Sequence, residues 1–156
     1  MIYALLKTLH LLAIIVWLGG MCFSYFFLRP AAAQLEAPVR VRLMHAVMGR
    51  FFKATLWASL LVLGSGVWML GRVAKQVVQS GGVFQMPLAW TVMALLGSVM
   101  VAIFMHIKFS LYKKLSRSVG AEDWAAGGQA LAQIRNWLAF NLGLGTLVVT
   151  IVTLLR

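Results

Sequence analysis

The chain has 156 residues, enough for one domain, and 62% of them are hydrophobic whereas only 11% are charged. A water-soluble domain could not bury so much apolar surface, so the composition excludes a soluble globular protein and predicts a membrane protein in contact with the lipid bilayer. The net charge of +11 comes from basic residues beside apolar runs, where they meet anionic lipid headgroups. We therefore expect no nucleic-acid partner.

Four apolar runs along the chain are long enough to cross a bilayer. They predict spans at about residues 8–28, 50–71, 87–108 and 136–155 of a single domain that covers residues 1–156. The first run is too long for a signal peptide, so we expect it to be retained. The second helix should begin before its apolar run, since Pro38 suits a first helical turn. Because the runs are continuously apolar, they predict an all-α integral membrane four-helix bundle and not a β-barrel.

The basic residues are distributed unequally between the two ends of this predicted bundle. Ten lie in the connections between spans one and two and between spans three and four, with their flanks: Arg29, Arg40, Arg42, Arg50, Lys53, Lys108, Lys113, Lys114, Arg117 and Arg135. Four lie on the opposite side: Lys7, Arg72, Lys75 and Arg156. The positive-inside rule then predicts cytoplasmic connections, with both termini outside, in the periplasm, for a multi-pass protein of a bacterial-type inner membrane.

Three histidines, His10, His45 and His106, are the candidates for metal chemistry, because the predicted spans contain no Asp or Glu. Imidazole is a frequent ligand of haem iron and of copper. A helical rise of 1.5 Å per residue places His106 roughly 28 Å deeper than His10, whereas His45 and His106 lie at comparable depth. These two could hold a haem b as axial ligands, with its propionates facing basic residues: Arg42, Arg50, Lys108 and Lys113. Alternatively, His45 is an interfacial residue and His106 a hydrogen-bonding residue between helices.

His10 suggests a different site, at the outer end of the first span. The helical spacing of three and four residues places His10 on one face of the first span with four other residues: Ile14, Trp17, Met21 and Ser24. Met69, Gln85 and Met86 could reach the same level, and a histidine with thioether ligands suits Cu(I). The candidate metal ligands are therefore His10, His45 and His106, with copper as the alternative to haem.

Two stretches resemble the CopD superfamily of membrane proteins. They are LKTLHLLAIIVWLGGMCF, which contains His10, and MALLGSVMVAIFMHIKFSLYKKL, which contains His106. The superfamily includes the copper-resistance membrane protein CopD and the HemJ-type protoporphyrinogen oxidases. The resemblance implies that His10 and His106 are functional positions. The segment Pro87–Leu95 has no lysine where the HemJ pattern carries one, which argues against porphyrinogen oxidation.

These observations leave three hypotheses. The first is a haem b-binding protein for electron transfer, with a redox partner or quinone. The second is a copper import or copper-handling protein, and the third is a structural or assembly subunit whose histidines only pack. The residues leave open whether the protein is a membrane oxidoreductase, and the many glycines are compatible with a homodimer.

Overall fold

The computed structural model describes residues 1–154, and over that range it consists of four long helices without a strand. The helices are α1 (Ile2–Ala32), α2 (Ala37–Gln79), α3 (Leu88–Gly120) and α4 (Trp124–Leu154). All four are long and apolar enough to cross a membrane, which confirms the predicted all-α fold with four membrane helices. Each helix is longer than the span that the apolar runs predict.

The helix ends follow local sequence signals. Pro38 lies in the first turn of α2, as predicted, where its missing amide hydrogen costs no hydrogen bond. Helix α2 ends before Gly81, which has a φ of 81° that favours glycine. Asp123 precedes α4, and its carboxylate accepts a hydrogen bond of 2.9 Å from the backbone N–H of Ala126, as an N-cap does.

Two of the helices contain a π-turn where the predicted spans end. These turns are Ser24–Leu28 in α1 and Ile107–Leu111 in α3. Pro30 follows the first turn and has no N–H for the carbonyl four residues earlier, so an uninterrupted α-helix would be strained there. The wider π-turn absorbs that misfit, and α1 therefore continues past Arg29 to Ala32.

The four helices pack as two antiparallel pairs. Helix α1 packs mainly on α2, and α3 packs along α4. We call the end that carries the short connections 33–36 and 121–123 the basic end. The opposite end, with residue 1, residue 154 and the connection 80–87, is called the terminal end.

The apolar core fills the half of the bundle toward the basic end. Its largest fully buried apolar side chains come from three helices: Met21, Val41, Met48, Phe52, Ile107 and Leu115. Toward the terminal end, no residue is buried in the segments 1–9, 66–79, 88–99 and 146–154. Close packing therefore ends near the level of His10 and Ser65, and the candidate site lies at that level.

Candidate functional site

A histidine and a serine form a buried polar contact at the level where the packing opens. His10 is the first buried residue of α1, and Ser65 is the last buried residue of α2, with exposures of 8% and 7%. The Nδ1 atom of His10 lies 2.9 Å from the Oγ atom of Ser65. The contact joins α1 to α2.

The hydrogen bonds around Ser65 determine the tautomer of His10. The hydroxyl contacts two carbonyl oxygens of its own helix, those of Leu61 and Val62. It has one proton, which it donates to those carbonyls, so its oxygen accepts the hydrogen bond from His10 Nδ1–H. The network thus assigns a proton to Nδ1, which both the neutral imidazole and the imidazolium carry there. In the neutral form Nε2 keeps its lone pair and is the nitrogen that can bind a metal ion.

This arrangement is the one that metal-binding imidazoles use, because the hydrogen bond on one nitrogen orients the other toward its ligand. Gly66 lies beside the ring, and a β-carbon there would be 3.5 Å from Cε1 and 3.9 Å from Nδ1 of His10. Met69 is half-buried and lies one helical turn beyond Ser65 on the same face of α2. The donors near this level are therefore an imidazole nitrogen and a thioether, which suit a soft metal ion.

The structure places His45 in a hydrogen-bonded link between α2 and α3. Its Nε2 lies 2.9 Å from the Oγ of Ser116, and that hydroxyl donates to the carbonyl of Tyr112 at 3.0 Å. The ring stacks on Tyr112, with 5.2 Å between ring centroids, and the Tyr112 hydroxyl donates to the His45 carbonyl at 3.3 Å. The Tyr112 side chain also fills the space beside Gly49.

His106 lies elsewhere on α3 and is exposed. Its ring meets Trp137 of α4 edge-on, with 5.4 Å between centroids. His106 precedes Tyr112 by six residues, which corresponds to a distance of roughly 9 Å along the helix axis. His45 lies at the level of Tyr112 and Ser116, so these contacts do not bring the two imidazoles together. Their role as a haem ligand pair stays a prediction.

The predicted propionate partners lie in separate surroundings. Arg42 forms an exposed ion pair with Glu122, with an N–O distance of 3.0 Å. The other three candidates are exposed or half-buried in the half of the bundle toward the basic end: Arg50, Lys108 and Lys113. In the part of the chain that the structure describes, no three or more His, Cys, Asp or Glu side chains form a group that could hold a metal ion.

The fold and the site define a four-helix membrane protein with a buried histidine–serine contact at the level where its close packing ends. The family model for copper resistance protein D matches residues 45–155 of the chain. The chain therefore belongs to the CopD family, as the resemblance predicted. No curated protein and no solved structure matches it. The matched segment includes His45, Ser65 and His106, whereas His10 precedes it.

The sequence identified His10 but not its partner. Ser65 stands between Gly64 and Gly66, and in sequence such a group is typical of small residues that let membrane helices approach closely. Its hydroxyl group in an apolar span indicates a further role for Ser65, because a polar group in the membrane needs a hydrogen-bond partner. Linking it to His10 needed the pairing of α1 with α2, which the sequence pattern does not give.

Proposed function

We propose that this protein is a copper-handling protein of the inner membrane that takes up Cu(I) as its substrate at the terminal end, with His10 Nε2 as the first ligand. The carrying observation is the buried contact of 2.9 Å between His10 Nδ1 and Ser65 Oγ, which supports a neutral imidazole whose Nε2 can bind a metal ion. With the predicted orientation, this end faces the periplasm, from which copper would enter.

The proposed ligands of Cu(I), one imidazole and one or two thioethers, support transfer of copper more than storage. Cu(I) is soft and binds imidazole and thioether ligands, and such sites hold the ion by few bonds. Met69 and Met86 are half-buried residues of α2 and of the connection to α3, toward the terminal end. A site with one imidazole and one or two thioethers would bind copper weakly enough to pass it on. Membership of the copper resistance protein D family supports the same substrate.

The first experiment measures Cu(I) binding by the detergent-purified protein, in competition with a chromogenic chelator under reducing conditions. The wild type should bind Cu(I), and His10→Ala should lose most of that affinity. His106→Ala should bind as the wild type does, because the exposed imidazole of His106 belongs to no part of the proposed site. Equal Cu(I) affinity in the wild type and His10→Ala would refute the proposal.

The sequence also predicts a second function, haem b binding with electron transfer to or from a redox partner or quinone, and this stays a prediction. A bis-histidine haem needs both imidazole nitrogens within about 2 Å of one iron, comparable to zinc–imidazole bonds. The separate partners of His45 and His106 would have to change for that to happen. A reduced-minus-oxidised spectrum decides the matter. A Soret band that disappears in His106→Ala would favour haem, and a spectrum without a Soret band after haem supplementation would remove it.

A further inference from the structure

A cavity of about 450 Å³ lies at the basic end, between α1, α2 and α4. Three arginines line it, one from each helix: Arg29 of α1, Arg40 of α2 and Arg135 of α4. Tyr25 adds a hydroxyl, and the remaining lining residues have apolar or no side chains. The volume falls in the range of small-molecule sites, roughly 300–1,000 Å³.

The guanidinium of Arg29 is incompletely satisfied inside this cavity. Its Nη1 atom is buried and makes no hydrogen bond to any residue of the described range 1–154. A buried charged donor without a partner costs free energy, and the cost is largest for ionised groups. Like-charge repulsion from Arg40 and Arg135 adds to this cost. An arrangement of this kind is favourable when an anion completes it.

No acidic side chain of the protein supplies that anion. The sequence has three acids, and none lines the cavity. Glu36 is exposed, Glu122 pairs with Arg42, and Asp123 accepts the hydrogen bond that caps α4. The positive charge of the three cavity arginines is therefore not balanced by the described part of the chain.

We propose that the Arg29–Arg40–Arg135 cavity is a binding site for a phosphate-bearing anion. Guanidinium groups bind phosphate oxygens through paired charge-assisted hydrogen bonds, and three of them converge here. Arg40 lies in the first turn of α2 and Gly128 near the start of α4, and the N-terminal ends of both helices also favour negative charge. The phosphate belongs either to the headgroup of an anionic lipid or to a soluble phosphate compound. The site is independent of copper handling.

Two arms of one experiment distinguish these sources, and neither contains copper. In the first, delipidated protein in a neutral detergent is titrated with pyrophosphate at constant ionic strength, and its thermal unfolding is followed. In the second, protein in phosphatidylglycerol or phosphatidylcholine nanodiscs is analysed by native mass spectrometry for retained lipid. The variants are Arg29→Gln and, as a matched control, Arg117→Gln, which removes an exposed arginine outside the cavity. Arg135→Gln replaces Arg29→Gln if the latter does not fold.

We expect the wild type and Arg117→Gln to respond alike, and Arg29→Gln to bind about tenfold more weakly because charge-assisted hydrogen bonds are lost. Retention of phosphatidylglycerol without a response to pyrophosphate identifies a lipid site, and the reverse identifies a soluble ligand. The proposal is overturned if neither probe binds the wild type. It is also overturned if Arg29→Gln and Arg117→Gln weaken binding equally, since the effect would then reflect overall charge.

Discussion

Substitution of Ser65 by alanine isolates the contribution of the hydrogen bond that fixes the His10 tautomer. The change removes the hydroxyl that accepts from His10 Nδ1–H across 2.9 Å and leaves the imidazole itself in place. A buried donor that loses its acceptor costs about 1–3 kcal/mol in soluble proteins. Interhelical hydrogen bonds in membranes average nearer to about 0.6 kcal/mol. We therefore expect Ser65→Ala to lower the free energy of unfolding by about 1 kcal/mol.

The same substitution should weaken copper binding more than it weakens the fold. Loss of the hydrogen-bond partner of a metal-binding histidine typically costs 10–100-fold in affinity, because the ring is no longer held in one orientation and tautomer. We expect Cu(I) affinity to fall by about tenfold in Ser65→Ala. Competition with a chelator measures the affinity, and tryptophan fluorescence during denaturant titration measures stability.

The chain offers a matched control in Ser98. The Ser98 hydroxyl donates to the carbonyl of Ala94, four residues earlier, at 2.8 Å. The Ser65 hydroxyl donates in the same way to the carbonyl of Leu61. Unlike Ser65, Ser98 is exposed and makes no hydrogen bond to a histidine of the described residues. Ser98→Ala should change neither stability nor copper affinity measurably. If Ser65→Ala and Ser98→Ala give the same copper affinity, the assignment of the His10 tautomer through Ser65 is wrong.

Three further predictions test the packing, the surface and the orientation of the bundle. Gly145→Ala should be less stable than the matched variant Gly143→Ala by about 1 kcal/mol in the same unfolding assay, because the new β-carbon at 145 would displace the flexible ends of Leu18 and Met100, whereas Gly143 has nothing within 4 Å. Equal stability of the two variants would contradict the close packing of α4 at Gly145. Glu122→Gln should change the unfolding free energy by less than about 1 kcal/mol, since its ion pair is exposed, and a larger loss would contradict that interpretation. The orientation can be tested with single cysteines in a cysteine-free background and a membrane-impermeant thiol reagent. Ser80→Cys should react in intact spheroplasts, and Gln34→Cys should react only after lysis. The opposite pattern would reverse the predicted orientation.

The sequence was sufficient to predict the four helices, because runs of about 20 apolar residues have few other structural solutions. It also indicated the early start of α2 at Pro38. It was less informative about where α1 ends, because Arg29 and Pro30 resemble a helix terminus. The helix continues instead through the π-turn Ser24–Leu28, and the apolar pattern does not distinguish a π-turn before Pro30 from a helix end.

The candidate sites divide in a similar way. His10 was recognisable because a histidine in an apolar span requires an explanation. The helical rise predicted that His45 and His106 lie at comparable depth in the membrane. It does not predict how α3 packs on α2, and in the structure His45 contacts Tyr112 and Ser116. The cavity arginines were counted only as orientation signals, because Arg29 and Arg135 are far apart in sequence and converge only when α1 and α4 pack.

Transport of copper by the purified protein tests the central claim most directly. Wild-type protein and His10→Ala are reconstituted into liposomes that contain a Cu(I)-responsive fluorophore, and Cu(I) is added outside under reducing conditions. The account predicts copper entry with the wild type and a rate close to that of empty liposomes with His10→Ala. Equal entry through both proteins, or no entry above empty liposomes with the wild type, would contradict it.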